Sequence, residues 1–234
     1  MCFVTRMDDI AMENVGCVIL AEYFIASALS AKFWEICMHE LSHMWFGNLV
    51  TMKWWDDLWL NEGFACFMSF YAIEHSGCES FSHIKDTIWK YYLRSYKYWG
   101  IRKDSTESRH PVYCAEITDS DKSEANFDGI TYGKGAAFVQ LLHRKIGHDA
   151  FKRGLHLYFE KNAWKNTELN DFFSAMEAAY GHNLRDMGDI WLKTAGINVL
   201  TPTLVSDQVL SIVQTCQGDE ILRPHVLDIG FYGE

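Results

Sequence analysis

The string His39-Glu40-Leu41-Ser42-His43, followed by Glu62 after eighteen intervening residues, limits the fold of this chain more than any other feature. On a helix, positions i and i+4 share a face, so the two imidazoles can point at one metal ion. The glutamate next to the first histidine can reach a water on that metal without ligating it. Glu62 then has to arrive from a second helix as a third ligand. Two histidines and one carboxylate leave one corner of a tetrahedral zinc open to water, the arrangement of a catalytic centre rather than a structural one. An HExxH string can arise by chance on an amphipathic helix. Here Trp54-Trp55-Asp56-Asp57-Leu58-Trp59-Leu60-Asn61-Glu62-Gly63-Phe64-Ala65 gives the third carboxylate a specific setting.

Around this string lies an ordinary globular composition: 234 residues, 49% hydrophobic and 22% charged. That is enough chain for one large domain, or one domain and a piece of another. The formal charge of -10 leaves no lysine and arginine excess to neutralise phosphates, so nucleic acid and anionic membrane are not expected partners. The seven cysteines (2, 17, 37, 66, 78, 114 and 216) contain no CxxC pair and are odd in number, which does not suit a disulfide framework. Cys37 and Cys66 fall in helical stretches, as small hydrophobes. The expectation is a reduced, cytoplasmic protein. No basic region followed by a long apolar run marks a secretory signal. Residues 15–31 are too short and too polar at their edges to span a membrane.

Periodicity predicts one or two strands over 15–24 and a helix over 31–47 that stops at Gly47. Residues 48–53 read as extended. Helices follow over 58–75 and 80–98, then a long loop over 100–125 that carries Pro111 and could cover the site. Four further helices are predicted over 131–146, 149–161, 168–180 and 184–195, with Thr167 or Asn166 and Asn183 as caps. After Gly196 the pattern becomes β-like, at 199–205, 208–213 and 226–232.

Together with Ala11-Met12-Glu13-Asn14 upstream, the HExxH string and Glu62 resemble the zinc aminopeptidases of the M1 (gluzincin) family, aminopeptidase N type. The order of motifs is also the family's. Phe127-Asp128-Gly129-Ile130-Thr131-Tyr132-Gly133-Lys134-Gly135 resembles the segment that carries the family's catalytic tyrosine. Trp191-Leu192 with Gly196, and Arg223-Pro224-His225, resemble the end of the catalytic domain and the start of the β-sandwich after it. The resemblance implies an α+β, mostly helical fold: a thermolysin-like catalytic domain over 1–198 and an incomplete β-sandwich over 199–234. It implies one zinc ion held by His39, His43 and Glu62. Glu40 takes a proton from the attacking water and passes it to the leaving amine. Glu13, within the Ala11, Met12 and Asn14 segment, binds the free α-ammonium of a peptide. Tyr132 donates its hydroxyl to the oxyanion. The implied partners are peptides with a free N-terminus, and the chain is expected to be a monomer. The alternatives are an epoxide hydrolase of the same superfamily, and a zinc-holding peptide-binding module without turnover.

Each role has a plainer competitor. Glu13 could be a surface carboxylate, Tyr132 a core tyrosine, Lys134 a solvated charge, and Asn61 a helix cap rather than a group orienting Glu62. The other eight histidines lack ligand spacing. Trp45, Phe46, Trp54, Trp55 and Trp59 are read as packing before substrate wall. The chain departs from the family in three ways. Ile10 stands where glycine is expected, and the stretch from Glu13 to His39 is short. The family's N-terminal β-domain and C-terminal helical domain have no counterpart, which implies a fragment holding most of the catalytic domain.

Overall fold

The computed structural model describes residues 1–27, 30–206, 208–217 and 221–230. Three short strands open the chain: β1 (Cys2–Val4), β2 (Ala11–Met12) and β3 (Ile19–Ala21). β3 lies in the middle, parallel to β1 and antiparallel to β2, with Ala11 opposite Leu20 and Met12 opposite Ile19. Leu20 and Ala21 turn inward with Val18 and Phe24, and they pack on Phe33, Ile36 and Cys37 of helix α1 (Ala31–Ser42). Ser30 starts that helix, its hydroxyl accepting the Phe33 N–H at 3.1 Å.

Helix α1 ends at Ser42, five residues before the expected stop at Gly47, and the chain then winds through turns. Gly47 has another reason to be glycine. It sits at φ +120°, and a Cβ there would lie 2.2 Å from Asn61 Oδ1. Beyond it β4 (Val50–Met52) pairs in parallel with β5 (Lys165–Thr167).

Helix α2 (Trp59–His75) is apolar almost all round and therefore runs through the centre of the core. Trp59, Phe64, Phe67 and Phe70 are buried there with Phe138 and Phe172 from later helices. The helix expected over 80–98 is displaced. A 3-10 turn (Glu79–Phe81) comes first, and the rod itself runs as α3 (Ile88–Tyr92), a π-helical segment (Leu93–Lys97) and α4 (Tyr98–Asp104). Its continuation past 98 depends on a distant segment, because Gly100 lies against the backbone of Gly129, where a Cβ would meet the carbonyl oxygen at 2.8 Å. The expected loop is correspondingly shorter and holds α5 (Ser120–Glu124). It is pinned to the 54–57 turn, with the Trp54 indole donating to Ile117 O and the Cys114 N–H to Asp56 O.

A second π-helical segment (Ile130–Lys134) leads into α6 (Gly135–Ile146), followed by α7 (His148–Asn162), α8 (Leu169–Tyr180) and α9 (Arg185–Leu192). Glu168, not Thr167 or Asn166, caps α8, through a reciprocal box with Asp171. Those two residues are committed to β5, and the Thr167 hydroxyl bonds Tyr158. Leu184 rather than Asn183 occupies the N-cap of α9, and Asn183 just before it accepts the Asp186 N–H at 3.3 Å. Strands β6 (Ile197–Ser206) and β7 (Val209–Gln217) form an antiparallel hairpin. The third expected strand is absent from 226–230, because no ladder partner lies beside it among the described residues; Phe231 and Tyr232 fall outside them. The chain is thus mostly helical with some strands. Among the described residues no helix is long and apolar enough to cross a membrane.

Candidate active site

Helices α1 and α2 pack together and bring three ligand atoms to one point. His39 Nε2 and His43 Nε2 are 3.0 Å apart, and Glu62 Oε2 lies 3.3 Å from the first and 3.5 Å from the second. All three residues are buried. Around a tetrahedral zinc with bonds of about 2.0–2.1 Å, neighbouring donors are spaced by about 3.3 Å. The observed triangle has that size, so the residues fit the ion. The orientation of His43 is set from behind. Its Nδ1 faces Asn61 Oδ1 at 2.7 Å and Phe46 O at 2.9 Å, two acceptors, so the ring proton sits on Nδ1 and the Nε2 lone pair points at the cluster. Asn61 also donates to Glu62 Oε1 at 3.3 Å. It therefore holds both the His43 and the Glu62 side chains at once, and Leu58 rather than Asn61 occupies the N-cap of α2.

The charges of the cluster agree with this geometry. Burial works against the Glu62 carboxylate, but hydrogen bonds from His39 and His43 hold it well below the usual carboxylate range. Burial lowers His39, whereas the Glu62 hydrogen bond and charge overcome burial at His43 and raise it to about 9. One proton between two facing imidazoles satisfies that pair; one divalent cation satisfies all three groups.

Glu40 projects beside the triangle. Burial pushes its carboxyl up to about 8, against the pull of His43 and with the help of Glu13 and Glu62. The Glu13, Glu40 and His43 ligand atoms all lie within 4.8 Å of one another, although 26 residues separate the two glutamates. Glu13 gets there from the turn after β2. Its carbonyl accepts the Asn48 amide at 2.8 Å, which fastens that turn to the loop after α1. Ala11 is half-buried in β2, and Met12 and Asn14 are exposed. Ile10 is exposed as well, its carbonyl accepting the Ala21 N–H.

Tyr132 sits in the π-helical segment before α6, where one extra residue per turn re-aims a side chain. Its ring stacks on His39 at 5.9 Å between centroids and 13° between planes. Burial, then the Glu62 charge and hydrogen bond, raise its phenol well above the ordinary value, so it stays a donor. Gly133 beside it permits the packing: a Cβ there would lie 2.1 Å from the Tyr96 carbonyl oxygen.

Several supporting residues escaped sequence reasoning. Glu35 is fully buried, one helical turn before His39, and accepts from Ser69 at 3.2 Å and from the Tyr96 hydroxyl at 3.1 Å. The i, i+4 spacing that flagged the histidines also places Glu35 on their face. Asp128 accepts the Ile130 and Thr131 N–H groups and faces His110 Nε2 at 3.0 Å, setting the start of the tyrosine's turn. Lys134 is no solvated charge: it is buried on Asp104 at 2.7 Å. Of the five aromatics read as packing, Phe46 and Trp59 are core, while Trp45 and Trp54 are about half exposed.

The Peptidase family M1 domain matches residues 1–191. The chain belongs to peptidase family M1. Among M1 relatives, aminopeptidase N of Streptomyces lividans is 37% identical over 98% of this chain and 28% of its own length. Leucyl aminopeptidase of Saccharolobus solfataricus is 36% identical over 80% of the chain and 24% of its own length. Aminopeptidase 2 of Candida albicans is 33% identical over 87% and 22%. The chain thus spans about a quarter of the length of these curated relatives. M1 peptidases are zinc-dependent in general, and the His39, His43 and Glu62 cluster could hold a metal.

Proposed function

We propose that this chain carries the catalytic centre of a zinc-dependent aminopeptidase that hydrolyses the N-terminal peptide bond of oligopeptides. The observation that carries the reading is the convergence of His39, His43 and Glu62 on one point with the Glu40 and Glu13 carboxylates beside it. The names of the three relatives support it. In this reading residues 1–198 form a thermolysin-like catalytic domain, and the β6–β7 hairpin within 199–234 begins a β-sandwich.

Zinc bound there would lower the pKa of a water and polarise the scissile carbonyl. The chain's own groups do the rest. Glu40, with its proton affinity raised towards neutral pH, takes the proton of the attacking water and returns it to the leaving amine. Glu13 pairs with the free α-ammonium of the substrate. A carboxylate this close to the ligand cluster, within 4.8 Å of His43, anchors a free amino terminus beside the scissile bond and so favours exopeptidase over endopeptidase action. Tyr132 keeps its phenolic proton and donates it to the carbonyl oxygen as charge develops there.

The test combines zinc quantification with an aminoacyl-coumarin assay, run on this chain. Glu40→Gln is expected to retain zinc and to lose activity by about 10²–10⁴-fold. Full activity with bound zinc would remove Glu40 as the base. Tyr132→Phe is expected to lower kcat by about 10²–10³-fold with zinc content unchanged. An unchanged kcat would reduce that tyrosine to packing.

A further inference from the structure

We propose that Cys2 and Cys17 are a redox modification site, at which a low-molecular-weight disulfide of the glutathione class converts the two thiols into one intramolecular disulfide. Their sulfurs are 3.8 Å apart, fifteen positions apart in the chain, and both residues are exposed. Backbone hydrogen bonds hold each side in place. The Cys2 N–H donates to Val18 O at 2.8 Å, and the Cys17 N–H donates to Asn14 O at 2.9 Å within a turn set by Gly16 at φ +74°. Closing an S–S bond of about 2.05 Å asks the two sulfurs, 3.8 Å apart at exposed positions, to approach by a further ~1.8 Å. The remaining thiols differ. Cys37 and Cys66 are buried, and Cys78 is exposed with no second sulfur beside it among the described residues.

The order of events follows from the hydrogen bond. The Cys17 thiol donates to Cys2 Sγ, and that bond together with the Cys2 charge raises the Cys17 thiol above its usual value. We take Cys2, which accepts that hydrogen bond, as the first attacking sulfur. It displaces one thiol from the small disulfide and becomes a mixed disulfide. Cys17 then loses its proton to solvent and attacks the Cys2 sulfur, releasing the second thiol. Two protein thiols are oxidised to one disulfide, and one small disulfide is reduced to two thiols.

The link would tie β1 to the turn that carries Glu13 and Asn14. Its effect on substrate rests on the proposed role of Glu13; the modification itself does not. The test is incubation of the full chain with oxidised glutathione, then tryptic mapping under non-reducing conditions. Cleavage after Arg6 and Lys32 should release residues 1–6 joined to residues 7–32, about 2 Da below the sum of the two peptides. Cys78 should carry a mixed disulfide instead. In Cys17→Ser the joined peptide should vanish and Cys2 should carry glutathione. Separate glutathione adducts on Cys2 and Cys17 with no joined peptide would overturn the proposal, as would a joined partner other than Cys17. With the link formed, KM for an aminoacyl-coumarin should fall about twofold or more at constant kcat, because the turn is held in its binding geometry. A joined peptide with KM unmoved would uphold the modification site and overturn its coupling to Glu13.

Discussion

Asn61 stands between two of the proposed ligands, accepting from His43 Nδ1 at 2.7 Å and donating to Glu62 at 3.3 Å. Removing its amide leaves the imidazole free to turn and the carboxylate free to swing. Asn61→Ala is therefore expected to weaken zinc binding by about 10–100-fold with the helical content unchanged. Competition against a chelator measures the affinity, and circular dichroism the content. The two candidate histidines were legible in the chain because i, i+4 spacing is a local rule, and Glu62 because of the motif around it. The role of Asn61 was not, because choosing between cap and orienting group depends on where Phe46 and Gly47 bring the end of α1. Gly47 shows the same dependence: it marks no helix end, and only its contact with Asn61 explains the missing side chain.

Helix α1 is anchored through Glu35, whose buried carboxyl ties it to Ser69 of α2 and to Tyr96 of the first π-helical segment. Burial raises this carboxyl from 4.5 to about 7, opposed by the Tyr96 and Ser69 hydrogen bonds. The folded chain thus holds the proton more tightly than the unfolded one. The stability Glu35 contributes is fully present below pH 4.5 and is lost as pH rises to about 7. The loss across that window is roughly 3 kcal/mol. Glu35→Gln should flatten this part of the stability curve, as read by urea unfolding at about pH 5 and about pH 8. Helices such as 58–75 and 149–161 matched expectation to within a residue at either end, because their apolar period and end signals are local. The rod over 88–104 did not, because its extent is decided by Gly100, Gly129 and Gly133, where two backbones meet closer than any side chain allows.

Lys134 and Asp104 join distant parts of the molecule. The ion pair is buried, Lys134 also donates to the carbonyls of Thr194 and Gly196, and Asp104 accepts the Gly196 N–H. It thereby fixes the junction between α9 and β6 to the helix that follows Tyr132. Lys134→Met strands a buried carboxylate and is expected to cost about 3–5 kcal/mol in urea unfolding. Replacing Asp104 by Leu in the same chain should recover much of the loss. A cleft of about 900 Å³ opens nearby, bordered by Tyr92, Lys97, Arg144, Trp191, Leu200 and Val226. None of the three ligands lines it.

Local spacing was sufficient to single out His39 and His43, with Glu40 between them, as candidates on one helix, and the motif around Glu62 pointed to a second helix, since each signal depends on residues within a turn or two of one another. Long-range contact was needed for the rest. Glu13 and Tyr132 meet the ligand triangle from outside those helices, Glu35 and Asp128 hold their supports, and Cys2 faces Cys17 across a strand pairing. Side chains that far apart in the chain become neighbours only when the core around α2 closes, and no local rule encodes that closure.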